Sequence, residues 1–280
     1  MAVPKGRMQA GVTQLLADAG IRLDVAARNY RPVVSVPGVE AKILKPQAII
    51  EMLAVGARDI GFAGADWVAE FDAEIVELLD TGLDPVRLVA AAPESLLVRG
   101  ELPSKRLVVA SEYVRLAQRW IERRAIDAGI LRSFGATEVL PPEDADVIID
   151  NTASGATLAA NDLCIVDDLM ASSTRLYASH EAMRDDAKRA MITELVTLVE
   201  SVLAARRRVM VELNVRLEDL ERVVEVLPCM REPTVAPLHA SGGFAVKAAV
   251  PREELPRVIP LIRSRGGTDI VVSRIEQIIA

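Results

Sequence analysis

Hydrophobic and polar positions alternate along this chain with two different periods. The start, Met1 to Val3, is a short apolar run that stops at Pro4-Lys5-Gly6-Arg7. Val12, Leu15, Leu16 and Ala19 then recur at helical spacing up to Gly20, which predicts one strand followed by one amphipathic helix. Pro46-Gln47 opens a second helical stretch through Ile50, Leu53 and Ala54, closed by Gly56. The buried-strand run Ile60-Gly61-Phe62-Ala63-Gly64 follows, then a helix or turn from Asp66. Arg87 to Ala92, Leu107 to Ala110 and Val147 to Ile149 read as further strands, with a helix over Tyr113 to Ala128 that turns Leu116, Trp120 and Ile121 inward. Strands alternating with helices predict mainly parallel α/β sheets. One long charged helix is expected from about His180 to Arg208, striped by Met191, Leu195, Leu198, Val199 and Val202.

The last seventy or so residues change character. Val209 to Val215 alternates as a half-buried strand, and a helix is expected over Leu217 to Leu227, stopped by Pro228. An extended piece at Thr234 to Leu238, a turn at Gly242-Gly243, a strand over Phe244 to Val250, a helix from Pro251 to Ser264 and a strand at Asp269 to Val272 complete the order βαββαβ. That order is the ferredoxin-like split unit, a common small regulatory module.

Composition narrows the function classes. The 280 residues suffice for two or three domains, and at 51% hydrophobic but only 3% aromatic the cores must be aliphatic. A net charge of −7 argues against a general nucleic-acid or membrane surface, while leaving room for a local anion site built from backbone amides. The two cysteines, Cys164 and Cys229, are far apart and form no metal or disulfide pattern. Neither His180 nor His239 has a metal-ligand neighbour one helical turn away. The first residues lack the apolar stretch of a secretion signal, and no apolar run reaches membrane-spanning length, so a cytoplasmic protein is expected.

Candidate chemistry gathers at strand ends. The apolar strand Val147 to Ile149 runs into Asp150-Asn151-Thr152-Ala153-Ser154-Gly155-Ala156-Thr157-Leu158, after which a helix is expected. An acidic group there can hold ribose hydroxyls, or a magnesium ion shared with them, and the hydroxyls of Ser154 and Thr157 with the amides around Gly155 can bind a terminal phosphate. The same residues also make an ordinary helix cap. Pro4-Lys5-Gly6-Arg7 and Gly61-Phe62-Ala63-Gly64-Ala65-Asp66 occupy two more strand ends, where α/β proteins place ligands. Glu138 is the best-placed carboxylate of the segment after Gly135-Ala136-Thr137.

Taken in order, these motifs resemble the ATP phosphoribosyltransferase family in its long form with a C-terminal regulatory domain. The resemblance rests on Pro4-Lys5-Gly6-Arg7, Lys45-Pro46-Gln47, Asp59 to Trp67, and Asp150 through Leu163, which follows the pattern D-x-x-x-T-G-x-T-L-x-x-N-x-L with Ser154 in place of Thr. Leu227-Pro228 and Pro233 to Leu238 extend it into the C-terminal part. The resemblance implies a two-lobed, periplasmic-binding-protein-like catalytic part and a ferredoxin-like βαββαβ regulatory domain. It divides the chain into lobe I (1–85 and 164–180), lobe II (86–163), a connector helix (181–206) and the regulatory domain (207–280). It implies transfer of phosphoribose from phosphoribosyl pyrophosphate to N1 of ATP with Mg2+. Asp150, Lys5 and Arg7 would be catalytic, and Asp150 the metal contact. Asp150, Thr152, Ser154, Gly155, Ala156, Thr157, Leu158, Asp66 and Glu138 would bind substrate. Histidine as a feedback inhibitor would lie near Asn214, Met230, Glu232 and Thr234, with dimers assembling to hexamers. Glu232 departs from the family's usual Ser, and Ala48 from its usual Asp or Asn. A non-catalytic two-lobed sensor with an effector-binding domain is the alternative the same architecture allows.

Overall fold

A computed structural model describes residues 1–24, 30–239 and 242–279. The chain divides into two compact units, Met1–Ala17 with Ile21–Thr193, and Asp18–Gly20 with Glu194–Ala280.

In the first unit, β1 (Ala2–Pro4) turns through Gly6, whose φ of +89° suits glycine, into α1 (Arg7–Asp18). The small ribbon β2 (Leu23–Asp24) and β3 (Val33–Val34) precedes β4 (Lys42–Leu44), α2 (Pro46–Ala54), β5 (Ile60–Gly64) and α3 (Ala65–Phe71). Then come β6 (Val76–Pro93), β7 (Leu107–Ser111), α4 (Val114–Arg124), β8 (Ala128–Arg132), β9 (Val147–Thr152), α5 (Ala156–Ala160) and β10 (Leu163–Ala178). Two helices close the series, α6 (His180–Arg184) and α7 (Asp186–Arg206), the unit boundary falling inside α7.

Eight of these strands form one sheet in the order β4-β1-β5-β10-β6-β9-β7-β8. It reads as two lobes threaded by β6 and β10, which pair antiparallel from Val76–Ala178 to Pro93–Leu163. The second half of β10, Thr174 to Ala178, pairs with β5, while the second half of β6, Arg87 to Ala91, pairs with β9. Each lobe therefore has parallel neighbours and one antiparallel strand, β10 in the first and β6 in the second. The expected parallel arrangement holds within each lobe, and the antiparallel exceptions are the two strands that cross between them. The crossing lies near Val86 and Ser172, so residues 163–172 stand beside the second lobe's strands.

Two differences from the sequence expectation have local causes. Ala125 takes the left-handed conformation (φ +50°), which stops α4 short of Ala128 and frees Ala128–Arg132 to add the edge strand β8. The single helix expected from His180 breaks at Asp185, whose carboxylate accepts from the Ala187 and Lys188 amides (3.0 Å each) and starts α7 afresh. Between Thr137 and Val139 a single 3-10 turn carries Glu138.

Aliphatic side chains make up most of the core of both lobes, although the largest fully buried side chains are the aromatic Trp120, Tyr113, Tyr177 and Phe62. Ala2, Ile49, Ile50, Leu53, Ala63 and Tyr177 are buried together in the first, and Leu88, Leu107, Val109, Tyr113, Trp120 and Ile149 in the second. No helix among the described residues is long and apolar enough to cross a membrane.

In the second unit β11 (Arg208–Arg216), a 3-10 turn, α8 (Leu220–Val224), β12 (Thr234–Pro237), β13 (Gly243–Pro251), another 3-10 turn, α9 (Leu255–Ser264) and β14 (Thr268–Arg274) follow the expected βαββαβ order. The sheet runs β12-β13-β11-β14, all antiparallel. Val209, Val211, Leu213 and Val215 alternate inward under Val223, Val258 and Ile262, so period two and period 3.6 meet in one core. The helix expected over Leu217 to Leu227 is shorter: its first turn is 3-10, and α8 ends at Val224, ahead of Pro228.

Candidate active site

Strand ends of both lobes open onto two adjoining cavities. The first, about 400 Å³, is lined by Asp150, Thr152, Ser154, Ala156, Thr157 and Leu158 of the β9–α5 turn, by Glu138, by Glu112 after β7, and by Arg7. The second, about 280 Å³, is lined by Gly64, Asp66 and Trp67 of the β5–α3 turn, by Asp84 and Val86, by Ser172 to Thr174, and again by Arg7. Asn151 lines both.

The β9–α5 turn is shaped by its own hydroxyls. Thr152 is buried and its Oγ1 accepts from the Gly155 amide (2.9 Å); Ser154 Oγ accepts weakly from the Ala156 amide (3.4 Å). Gly155 sits at φ +81°, a left-handed position that glycine takes without strain. The Gly155 carbonyl accepts from Ala159, so the first-turn amides of Thr157 and Leu158 have no intrahelical partner. Five residues are too few for a strong helix macrodipole, so anion affinity here rests on amides and hydroxyls at short range.

Asp150 carries the most telling electrostatics. Burial, then the nearby carboxylates Glu138, Glu112 and Asp66, push its pKa up to about 6, against a single stabilising bond from the Asn151 amide (2.7 Å). A partly buried carboxylate with others near it, lining a cavity, is arranged for a ligand that brings donors or positive charge.

Asp66 is held from both lobes. Its Oδ2 accepts from the Tyr113 hydroxyl (2.6 Å), its Oδ1 from Ser172 Oγ (2.7 Å), and its amide donates to the same Ser172 Oγ (3.0 Å). Trp67 stacks on Tyr113 with centroids 4.5 Å apart. One helical turn on, buried Glu70 of the first lobe accepts from the amides of Arg115 and Leu116 (2.9 Å each), capping α4 of the second lobe from outside that lobe. Glu70→Ala uncaps α4 and removes this tie between lobes; a loss of about 1–3 kcal/mol in denaturant unfolding is expected. An unchanged midpoint would show that the cap is idle.

The sequence-derived residues are distributed as follows. Asp150, Thr152, Ser154, Ala156, Thr157, Leu158, Glu138 and Arg7 come together in the first cavity, with Gly155 inside its turn; Asp66 and Arg7 come together in the second. Lys5 lines neither. Its Nζ donates to the Tyr30 hydroxyl (3.1 Å) and lies over that ring. Glu112, Tyr113 and Ser172 were not singled out from sequence, and Asn151 was named only as part of the Asp150 to Leu158 segment, with no role of its own. Glu112 and Tyr113 follow the end of β7, the same strand-end signal that marked Asp150.

In the second unit Asn214 on β11 donates to Asp269 Oδ2 (3.1 Å), Thr234 begins β12, and Met230 and Glu232 lie in the loop before it. Thr234 pairs across the sheet with Lys247, which pairs with Glu212, two residues before Asn214; these positions share the sheet face turned from the core.

No three His, Cys, Asp or Glu side chains among the described residues converge as a metal site.

Residues 45–201 match the family model for ATP phosphoribosyltransferase, and residues 205–277 match the model for the HisG C-terminal domain. The ATP phosphoribosyltransferase of Chlorobium phaeobacteroides is 31% identical over 284 residues, covering 100% of this chain and 97% of its own. That of Pelotomaculum thermopropionicum is 33% identical over 278 residues, covering 97% and 96%. A solved structure, the ATP phosphoribosyl transferase (HisG:HisZ) complex from Thermotoga maritima, overlays with a TM-score of 0.63 at 23% identity, covering 71% of this chain and 97% of that one, and shares its fold. With a catalytic-family match over more than half its length, a C-terminal domain match over most of the remainder and relatives that align end to end, the chain belongs to the ATP phosphoribosyltransferase family.

Proposed function

We propose that this chain transfers phosphoribose from phosphoribosyl pyrophosphate to N1 of ATP, the first step of histidine biosynthesis, using its two adjoining cavities as the two substrate sites. The observation that carries this reading is the pair of cavities with a common wall at Arg7 and Asn151, one bearing the family's phosphoribosyl turn and the other the Asp66–Trp67 strand end.

In the first cavity the Ser154 and Thr157 hydroxyls and the free amides of the turn hold the 5′-phosphate, and Asp150 accepts from the ribose hydroxyls. In the second, Asp66 and the Trp67 side chain face the nucleotide. Reaction joins the N1 lone pair to C1 of the ribose as the C1–oxygen bond breaks, with its electron pair leaving on pyrophosphate. Attack from the face opposite the leaving group inverts C1. The adenine ring carries positive charge until a proton leaves its exocyclic nitrogen for solvent. Positive charge also builds on the sugar as the bond breaks, and the Asp150 carboxylate favours it there. Arg7, at the common wall, faces the negative charge that develops on the departing group. No protein nucleophile is needed, because fixing two substrates in line removes much of the barrier, on the order of several kcal/mol.

The donor set suits Mg2+ held chiefly by substrate oxygens and water, with Asp150 as the protein's oxygen donor. When bound, the ion neutralises the pyrophosphate leaving group. Lys5, turned towards Tyr30, stands back from this chemistry unless its ammonium leaves that ring. With ATP and phosphoribosyl pyrophosphate as substrates, the proposed place of work is the cytoplasm.

The test is direct. Purified protein given ATP, phosphoribosyl pyrophosphate and Mg2+ releases pyrophosphate and forms phosphoribosyl-ATP. Ligand binding without turnover would favour the sensor. Histidine is proposed as an inhibitor at the sheet face of Asn214 and Thr234 with Met230 and Glu232, and the working form as a dimer that assembles to a hexamer. Added histidine should slow turnover, and Glu232→Ser should shift the inhibition constant severalfold, since a carboxylate is removed beside the effector's charged groups. Insensitivity of both proteins would remove the effector role, and sedimentation reports the assembly.

A further inference from the structure

Arg7 and Asn151 are the two residues common to the linings of both cavities. If one cavity takes the ribose and the other the nucleotide, the bond that forms must form beside them. Arg7 brings a charge. What Asn151 brings depends on which way its amide faces.

A chain of hydrogen bonds decides that orientation. The Asp66 carboxylate only accepts, and its Oδ2 lies 2.6 Å from the Tyr113 hydroxyl, so the phenolic proton points at Asp66. Tyr113 is buried and stays protonated, because burial and then the charge of Asp66 push its pKa far up. Its oxygen is therefore left as an acceptor, and Asn151 Nδ2 donates to it at 2.9 Å. Ser172, donating to the other oxygen of Asp66, keeps the carboxylate from turning away. One N–H of Asn151 is consumed, and its second N–H and its carbonyl oxygen are left for the cleft.

We propose that Asn151 is a further catalytic residue, touching the substrates where the ribose carbon and the attacking nitrogen meet, and that Tyr113, anchored by Asp66, is the positioning residue that orients it. This rests on the two-substrate reading above. The amide is presented as a fixed donor and acceptor pair, with no reorientation needed as charge develops.

A double-mutant cycle tests it. Asn151→Ala should lower kcat roughly tenfold to a hundredfold, with KM for each substrate changed by less than about threefold. Tyr113→Phe alone should lower kcat about tenfold. In the Asn151→Ala background, the same Tyr113→Phe change should cost less than about twofold, because the residue it orients is gone. Losses that multiply in the double variant, or wild-type kcat in Asn151→Ala, would overturn the assignment. Should Tyr113→Phe fail to fold, Asn151→Asp serves: it keeps the shape but cannot donate to the phenol, and kcat as low as in the alanine variant is expected, whereas wild-type kcat would overturn the proposal. Absence of turnover in the unmodified protein overturns the reaction, and this role with it. Turnover with an additive cycle overturns this role alone.

Discussion

Asp150→Asn is expected to lower kcat/KM by roughly a hundredfold while making the protein more stable at pH 7.5. Both effects come from one carboxylate. Burial and the neighbouring Glu138, Glu112 and Asp66 raise its pKa from 3.8 to about 6 in the folded chain. A raised carboxyl pKa means that the folded state prefers the protonated form, so stability falls as pH rises from about 4 to about 6 and stays lowered above that. Asparagine keeps the acceptor for the Asn151 amide and removes the charge. The gain is therefore absent at pH 4 and full above pH 6, up to about 3 kcal/mol for a shift of this size. Catalysis reads the opposite side of the same trade. Asparagine cannot supply the negative charge that the ribose and the cation require, and wild-type kcat/KM should fall about tenfold per pH unit below the free-enzyme pKa near 6. Bound cation and sugar favour the ionised form, so the acid limb of kcat should lie at lower pH than that of kcat/KM. Near-normal turnover in Asp150→Asn, or equal thermal midpoints at pH 7.5, would remove Asp150 from these roles.

The second large effect is expected from one methyl group. Gly64 has an ordinary extended backbone (φ −75°, ψ 142°), so Gly64→Ala strains no dihedral. Its added Cβ would overlap the Asp66 carboxylate and lie 3.6 Å from Ser172 Oγ. Asp66 is short and bonded on both oxygens, and it can yield only by breaking its bonds to Tyr113 and Ser172. Losing two buried hydrogen bonds to a carboxylate destabilises by about 2–4 kcal/mol. The nucleotide cavity loses its acidic wall at the same time, so KM for ATP should rise at least tenfold while KM for phosphoribosyl pyrophosphate changes little. An alanine variant that unfolds at the wild-type denaturant midpoint with unchanged KM for ATP would show that the Asp66 arrangement is not required.

Much of the fold is legible along the chain because its signals are local. The runs at Ile60–Gly64 and Val147–Ile149 are apolar enough to be strands anywhere, the period of Val12, Leu15 and Leu16 is helical, and the alternation of Val209 to Val215 forces a half-buried strand. What escaped were elements made by pairing. The segment Val76 to Pro85 holds Asp80, Gly82, Asp84 and Pro85, residue types depleted in strands, and Leu163 to Ala178 holds Asp167, Asp168 and three hydroxyl residues, Ser172 to Thr174. Both are strands because each supplies the other's hydrogen bonds through a bulged register that no single segment displays. The edge strand β8 escaped because its hydrogen bonds come from β7 and its start depends on the left-handed turn at Ala125 that ends α4.

The site divides along the same line. By itself the sequence determined which residue types stand at the strand ends: the acid, glycine and hydroxyls of Asp150 to Leu158, Arg7 after its glycine, and Asp66 after Gly64. Turn chemistry acts over three or four residues, so it can be read in order. Only the tertiary structure decided that these ends share two cavities, that Lys5 turns to Tyr30, and that burial and neighbouring carboxylates push the Asp150 pKa up to about 6. It also decided that Asp66 meets Tyr113 across 47 residues and Ser172 across 106. The physical reason is range. Hydrogen-bond direction and carboxylate repulsion decay within a few ångströms, and only the folded chain brings groups so far apart in sequence within that distance, as β10 does in returning Ser172 to Asp66.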